Sequence, residues 1–233
     1  KANRNLERLD QTKSDFISIA SHELRTPLTT IIGYTEMLIE DTSLPSPTHS
    51  MLKNISKGTK RLHEIMDSMF DIAQIDSRTL QLHLTSVDTG DLIRNVVNAS
   101  EKSLKEREQT LTLDIPNLPM VKADPNLLLK LFQHLLTNAI KFTPNEGKIN
   151  IEARQISPSL AEMPNGGLEI VVSDTGVGVD PDSREIIFSK FYQPGELTKH
   201  STSKTRFKGG GSGLGLALSK GIVEAHGGSI WVE

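Results

Sequence analysis

The chain has 233 residues, of which 36% are hydrophobic and 24% charged, a composition that is typical of globular domains and excludes disordered and collagen-like proteins. Its 26 Lys and Arg residues against 29 Asp and Glu give a net charge of −3, without the positive excess of nucleic-acid-binding proteins, so we expect no nucleic acid as a partner. The absence of cysteine excludes disulfides, thiol catalysis and cysteine-ligated zinc, and it fits a reducing, cytoplasmic location.

No apolar run reaches the roughly 18 residues of a membrane-spanning helix, and the charged start of the chain is unlike a signal peptide. We therefore expect no membrane contact from this part of the protein. The chain begins without Met inside a predicted helix and stops inside a predicted strand, which indicates a segment of a longer protein.

The first third of the chain is predicted to be a helical hairpin. The pattern is helical from Leu6 to about Asp76, with one break at Asp41–Pro47, where prolines and small polar residues end one helix and start the next. The second arm carries an apolar stripe between Met51 and Ile75 that is too wide for two helices to bury. Two hairpins that form a four-helix bundle would bury it, so we expect a homodimer.

Beyond Ser77 short β-branched runs alternate with helical ones, which indicates a second domain. We place the first domain at residues 1–78, a linker at 79–86 and the second domain at 87–233. The irregular order of strands and helices favours an α+β sandwich, with helices on one face of a largely antiparallel sheet. Strands are predicted at Gln81–Leu84, Thr110–Ile115, Lys148–Gln155, Leu168–Ser173 and Ser229–Glu233. Helices are predicted at Thr89–Ser103, Pro125–Phe142, Asp182–Phe188 and Leu214–His226.

His22 is the first candidate for chemistry, because helical geometry turns it away from the apolar face of the first arm. A surface histidine without function is the alternative. Glu23 is adjacent and could accept the ring N–H, and Thr26 lies one turn further on the same exposed patch. Pro27 is expected to bend the helix just beyond that patch.

The run from Ser21 to Leu28 (SHELRTPL) closely resembles the H-box of sensor histidine kinases, the autophosphorylating half of bacterial two-component systems. The resemblance implies that His22 accepts the phosphoryl group and that Glu23 is the general base. It also implies that Thr26 positions water when such proteins dephosphorylate their response regulator. By the same resemblance, residues 1–78 are the dimerisation and histidine phosphotransfer domain.

Three later segments are candidates for a nucleotide site. His134, Asn138 and Lys141 share one face of a helix, and an amide oxygen such as that of Asn138 is a suitable ligand for Mg²⁺. Asp174–Gly178 (DTGVG) follows an apolar strand, so its carboxylate could accept a hydrogen bond from a base amine. Gly209–Leu216 (GGGSGLGL) runs into a helix N-terminus, which favours phosphate. A structural amide, a tight turn and a flexible hinge are the respective alternatives.

In this order the three segments resemble the N, G1 and G2 boxes of the histidine-kinase ATPase domain, shared with gyrase, Hsp90 chaperones and MutL proteins. Ile187, Phe188 and Phe191 look like the F-box that begins its ATP lid, which is the polar segment between Phe191 and Leu214. The resemblance implies that Asn138 binds Mg²⁺ and that Asp174 reads the adenine amine. The residues implied to bind ATP are His134, Asn138, Lys141, Phe142, Asp174, Gly176, Gly178, Gly211, Ser212, Gly213, Leu214 and Gly215, with Lys204, Arg206 and Lys208 as lid candidates for the γ-phosphate.

His134 departs from the family pattern, because many of these kinases have Asn four residues before the Mg²⁺-binding Asn. An imidazole can still bind a metal or a phosphate oxygen, but it titrates near neutral pH. We therefore expect an altered metal preference or pH dependence with activity retained.

The implied function is ATP-dependent autophosphorylation of His22, followed by phosphotransfer to an aspartate of a response regulator, with phosphatase activity toward that regulator also expected. Two alternatives stay open. A catalytically silent signalling scaffold would keep the fold without the chemistry. An ATP-gated clamp like the chaperone and mismatch-repair relatives would need a helix Glu to activate water, and the matching position here is His134.

Overall fold

The computed structural model describes the backbone of residues 2–158, 166–192 and 212–233, and the side chains of the same residues from position 19 onward except 21 and 22. The chain divides into two compact units, Lys1–Leu80 and Gln81–Glu233.

The first unit is a hairpin of two long helices, α1 (Ala2–Glu40) and α2 (Ser46–Asp76), which confirms the predicted helical hairpin. Pro27 lies inside α1 without ending it, and Pro45 and Pro47 flank the first residues of α2. Leu28 on α1 and Met66 on α2 are both buried. An ion pair between Arg25 and Asp67, with 2.7 Å between Nη2 and Oδ1, joins the two helices.

A continuous apolar face of the hairpin is exposed within this chain. Ile31 and Leu38, one heptad apart on α1, are 46% and 45% exposed. Contiguous large apolar side chains are rarely left exposed to water unless they form an interaction site. The exposed large apolar residues of the hairpin, among those whose side chains are described, are Ile19, Leu24, Ile31, Tyr34, Met37, Leu38, Met51, Ile55 and Leu62. The hairpin therefore buries only part of the apolar surface that its sequence provides.

The second unit contains three helices, five strands and two short 3₁₀ turns among its described residues. In chain order these are β1 (Thr85–Val87), α3 (Thr89–Glu106), β2 (Thr110–Asp114), β3 (Val121–Ala123), α4 (Pro125–Phe142), β4 (Lys148–Ile156), β5 (Gly167–Asp174), the turns Pro181–Ser183 and Ile186–Phe188, and α5 (Gly215–Ala225).

The main sheet has the strand order β2-β4-β5, and β1 pairs with β3 in a separate two-stranded ribbon. Ile151 on β4 pairs with Leu113 on β2 and with Val172 on β5. Inward residues of β4, namely Ile149, Ile151 and Ala153, alternate with more exposed ones, as expected for a sheet covered on one face. The opposite side of this core comes from the helices, where Ile93, Leu136 and Ile222 are almost fully buried.

The sheet is mixed, and it contains one parallel pair that the prediction of a largely antiparallel sheet did not include. β2 and β4 run parallel, while β4 and β5 run antiparallel. The parallel pair arises because the chain returns from β2 to β4 through β3 and the 18-residue helix α4, and such a crossover brings the next strand back in the same direction.

Several element boundaries also differ from the predictions. Residues 81–84 form no strand, since the His83 N–H donates to the Asp124 carboxylate at 2.9 Å instead of to a ladder, and β1 begins only at Thr85. The predicted helix at 182–188 is two separate 3₁₀ turns, the first begun by Pro181 and capped by Asp180. Residues 229–233 have no ladder partner among the described residues, so the final predicted strand is not formed there.

Candidate functional site

Helix α4 is the central support of the candidate site, and Asp124 starts it. The Asp124 Oδ1 accepts hydrogen bonds from the backbone N–H groups of Asn126 and Leu127 at 3.0 and 3.2 Å. Burial alone would raise the pKa of Asp124, but the bonds from His83, Leu127 and Asn126 to the carboxylate outweigh burial and hold that pKa below its ordinary value. The helix therefore begins at a fixed, negatively charged cap, which also suits its dipole.

His226 ties the start of α4 to the end of α5. Its Nε2 accepts the Asp124 backbone N–H at 3.0 Å, and its Nδ1 lies 2.8 Å from the Ile222 carbonyl oxygen. The two contacts together require a neutral ring that carries its proton on Nδ1. These contacts hold the N-terminal end of α4 against the C-terminal end of α5. Because both helices are rigid, the contacts also restrict the relative position of the opposite ends, which carry the candidate site residues.

The face of α4 that carries His134, Asn138 and Lys141 is half-buried. A Cβ placed on Gly215 would lie 3.3 Å from the His134 Nδ1, so His134 packs directly against the start of α5. The Lys141 Nζ lies 4.4 Å from the centre of the Phe142 ring. The side chain of Asn138 is half-buried on this face, and its amide oxygen is a group that can serve as a ligand.

The turn after β5 packs on the last residue of α4. Asp174 ends the strand and is exposed, and its Oδ1 accepts the Gly176 N–H at 2.8 Å. The Val177 N–H donates to the Phe142 carbonyl at 3.3 Å. A Cβ on Gly176 would lie only 2.6 Å from the same Phe142 oxygen, so glycine is required where the turn meets α4.

Helix α5 begins beside the residues that precede the polar segment. Gly213 has φ +71, and its carbonyl accepts the Phe191 N–H at 2.9 Å. A Cβ on Gly213 would lie 2.7 Å from the Phe191 carbonyl carbon. Leu214 is buried, and within the described part of the chain no side-chain cap is formed at the N-terminus of α5, which begins at Gly215. The two ends of the segment between residues 192 and 212 are thus held together at the start of this helix.

The structure brings the described parts of the three predicted nucleotide segments to one place in the second unit. α4 contacts the start of α5 through His134 and Gly215, and it contacts the turn after β5 through Phe142 and Gly176. Gly178, in the same turn, has φ +68 and open space around it. Of the other predicted nucleotide residues, Ser212 and Leu214 lie at the start of α5, whereas Lys204, Arg206, Lys208 and Gly211 lie outside the described residues.

Within the described ranges, no group of three or more His, Cys, Asp or Glu side chains is close enough to hold a metal ion. A divalent cation would therefore need ligands from a bound nucleotide in addition to a protein group. The amide of Asn138 is a protein group of the kind needed, because Mg²⁺ usually takes few protein ligands when it also binds phosphates.

In the first unit, the predicted H-box residues lie on α1. Glu23 and Thr26 are exposed, while the side chain of His22 lies outside the described residues. Asp67 of α2 bonds Arg25 and also lies near His63, with 3.4 Å between Oδ2 and the His63 Nε2. Arg25, the third residue after His22, is thus held against α2 by the Asp67 carboxylate.

Sequence reasoning missed two residues that hold the other end of α4. Arg107 and Gln109 follow α3, and both are buried. The Arg107 Nη2 donates to the Thr143 carbonyl at 2.7 Å, and the Gln109 Nε2 lies 2.9 Å from the same oxygen. Burial lowers the pKa of the Arg107 guanidinium. No motif marks these residues, and their acceptors lie more than 30 positions away in the chain.

No described helix is both long enough and apolar enough to span a bilayer. Residues 12–78 match the family model of the His Kinase A (phospho-acceptor) domain, and residues 123–233 match the model of the Histidine kinase-, DNA gyrase B-, and HSP90-like ATPase. The chain belongs to the sensor histidine kinase family. Its helical hairpin and its α/β unit are the phospho-acceptor and ATPase domains of that family.

Curated relatives of this chain include Hybrid signal transduction histidine kinase D of Dictyostelium discoideum, which is 32% identical over 98% of this chain. Sensor protein DivL of Caulobacter vibrioides is also 32% identical over 98% of the chain. The chain spans only 14% and 27% of the lengths of these two relatives. Among solved structures, full-length ShkA in complex with AMPPNP is 27% identical, with a TM-score of 0.73 over 93% of this chain and 42% of that one.

Proposed function

We propose that this chain transfers the γ-phosphoryl group of ATP to His22 and then to an aspartate of a response regulator. The observation that carries the proposal is the meeting of α4, the turn after β5 and the start of α5 at one site. The AMPPNP in the ShkA structure is an ATP analogue, which supports ATP as the nucleotide.

In the proposed site the turn after β5 recognises the base. The exposed Asp174 carboxylate accepts a hydrogen bond from the exocyclic amine of adenine. Gly176 keeps the backbone close to Phe142, which leaves room for a flat base beside the turn. The uncapped N–H groups at the start of α5, with Gly211, Ser212, Gly213, Leu214 and Gly215, bind the phosphates.

Residues of α4 and of the lid neutralise phosphate charge in the same proposal. The amide oxygen of Asn138 holds Mg²⁺, which lowers the charge of the phosphate oxygens when bound. Lys141 approaches the phosphates from the last turn of α4, and Lys204, Arg206 or Lys208 of the lid contacts the γ-phosphate. Such positioning and charge neutralisation account for most of the catalysis of phosphoryl transfer.

The acceptor is the imidazole of His22 on α1. A neutral ring nitrogen forms the new N–P bond, the bond between the γ-phosphorus and the bridging oxygen breaks, and ADP leaves with the electron pair. Glu23 takes the proton of the other ring nitrogen and so stabilises the charge that develops on the ring. Thr26 then orients a water molecule for dephosphorylation of the regulator.

The exposed apolar face of the hairpin supports a homodimer. Ile31, Leu38 and their neighbours on both helices remain uncovered in one chain, and a second hairpin would bury them in a four-helix bundle. The response regulator docks on the outer face of that bundle, where Glu23 and Thr26 are exposed. We place this reaction in the cytoplasm, where ATP and a reducing environment are available.

His134 is expected to modify the reaction. Its ring lies against the start of α5, within reach of the phosphates that this helix would bind. We propose that it shifts metal preference or pH dependence while activity is retained. If His134→Asn leaves both the Mg²⁺ to Mn²⁺ activity ratio and the pH profile unchanged, this part of the proposal is wrong.

The direct test is incubation of the chain and its His22→Gln variant with γ-labelled ATP and Mg²⁺. The expected result is label on the wild type that is acid-labile and base-stable, and that is absent from the variant. His49→Gln is the matched control, because His49 lies at the start of α2 near the hairpin loop, where its Nε2 lies 2.8 Å from the Asp41 carbonyl oxygen. Its label should equal that of the wild type.

The same assay separates the alternatives. ATP binding without label on any variant would favour a silent scaffold. ADP release without protein label would favour an ATP-gated clamp. Label that persists in His22→Gln would contradict the assignment of the acceptor.

A further inference from the structure

The C-terminal end of α4 is held by a buried cluster of two side chains that belong to another part of the fold. Besides its bond to Thr143, Arg107 donates from Nη1 to the Ile140 carbonyl and from Nε to the Asn145 side chain at 3.1 Å. The Gln109 Nε2 lies 3.1 Å from the Ile140 oxygen. One guanidinium and one amide thus converge on the carbonyls of the last turn.

These contacts supply hydrogen-bond donors that the end of the helix lacks. The last carbonyls of an α-helix receive no N–H from the helix itself, and burying a carbonyl without a donor costs free energy. A guanidinium at this end also complements the negative end of the helix dipole. Arg107 is 7% exposed and Gln109 is 8% exposed, so water cannot readily replace either of them.

The same last turn positions the proposed adenine-binding turn. The Phe142 carbonyl, which lies between the carbonyls of Ile140 and Thr143, accepts the Val177 N–H at 3.3 Å. The loop that follows α4 also reaches the turn, because a Cβ on Gly147 would lie 2.4 Å from Thr143 and 3.2 Å from the Thr175 Oγ1. A shift of this helix end would therefore move the turn that carries Asp174.

We propose that Arg107 and Gln109 are positioning residues for nucleobase selectivity: they hold the end of α4 so that the turn after β5 presents Asp174 to adenine. The inference rests on the proposed function, in which Asp174 reads the exocyclic amine. Guanine has a carbonyl at that position, so a correctly placed carboxylate favours ATP over GTP, and a displaced one does so less.

The test measures dissociation constants of the whole chain for ATP and for GTP, by competition with a fluorescent ATP analogue. Arg107→Lys keeps the charge but loses the planar fork, and Gln109→Leu keeps the size but loses the donors. Each is expected to lower the preference for ATP over GTP about tenfold, the effect of one displaced hydrogen bond. Arg154→Lys and Gln155→Leu are the matched controls, because both residues are exposed on β4, and they should keep the wild-type ratio.

The ratio of the dissociation constants for ATP and GTP distinguishes a positioning role from a general effect on the stability of the fold. A variant that is merely less stable loses folded protein, which lowers binding of both nucleotides equally and leaves their ratio unchanged. If Arg107→Lys does not fold, Gln109→Leu still decides the question.

Asp174→Asn separates this inference from the proposed function. If Asp174→Asn loses the preference but Gln109→Leu keeps it, the positioning role is overturned and the proposed adenine contact stands. If Asp174→Asn keeps the preference as well, both are overturned. Loss of preference in all three variants, with the two controls unchanged, supports the positioning role.

Discussion

Replacement of Gly176 by alanine tests the contact between the turn after β5 and α4. The added Cβ would lie 2.6 Å from the Phe142 carbonyl oxygen and 2.4 Å from the Asp174 Oδ1, whereas ordinary contact begins at 3.4 Å. The Phe142 oxygen belongs to the backbone of α4, which cannot move aside for the added Cβ as a flexible side chain could. The turn must move away, which breaks the bonds of the Gly176 and Val177 N–H groups. The two bonds, at about 1 kcal/mol each, favour the geometry of the turn that binds ATP. Their loss is therefore expected to weaken ATP binding roughly thirtyfold.

Gly178→Ala is the internal control for this substitution. Gly178, unlike Gly176, has a positive φ, +68, but a Cβ there would meet nothing within 4 Å. We expect backbone strain of about 1 kcal/mol and ATP affinity within about threefold of the wild type. Isothermal titration of ATP into both variants, with thermal unfolding to verify the fold, gives the comparison. Equal affinity of Gly176→Ala and the wild type, or a larger loss in Gly178→Ala, would refute the steric reasoning.

Three further predictions concern stability and assembly. Glu108 has φ 53, so Glu108→Gly should stabilise the chain by about 1 kcal/mol in urea unfolding, and destabilisation would contradict the strain assigned to this residue. The bonds to the Asp124 carboxylate keep its pKa below its ordinary value, so it stabilises the fold above about pH 4 and less as the pH falls. Asp124→Ala should therefore destabilise the chain by about 2 kcal/mol at pH 7, with a cost that shrinks toward acid pH, and a cost independent of pH would contradict this account. The double variant Ile31→Glu and Leu38→Glu should be monomeric by light scattering where the wild type is dimeric, and an unchanged mass would exclude this face as the interface.

The motifs that predicted contact between distant segments of the chain were the most informative part of the sequence. The Asp174–Gly178 run and the face of α4 that carries Asn138 were predicted as parts of one nucleotide site, and the structure places the two segments in contact at Phe142 and Gly176. The helical hairpin was equally accessible, since the apolar periodicity and the break at 41–47 depend only on local residues.

Features that depend on pairing were not predicted. β1 and β3 have three residues each, and their sequences, TSV and VKA, carry no alternation that distinguishes a strand from a loop. Residues 229–233 are β-branched and aromatic enough to predict a strand, but a strand also needs a partner. Arg107 and Gln109 were missed because only the folded chain brings them to the carbonyls of Ile140 and Thr143.

The measurement that tests the central claim most directly is the mapping of the phosphoryl group by tandem mass spectrometry at neutral pH, after incubation of the chain with ATP and Mg²⁺. The account predicts one phosphorylated peptide, with the modification on His22, and none in the Asn138→Ala variant under the same conditions. Modification of another residue, such as His63 on α2, or an unmodified chain that binds ATP and is fully folded, would contradict it.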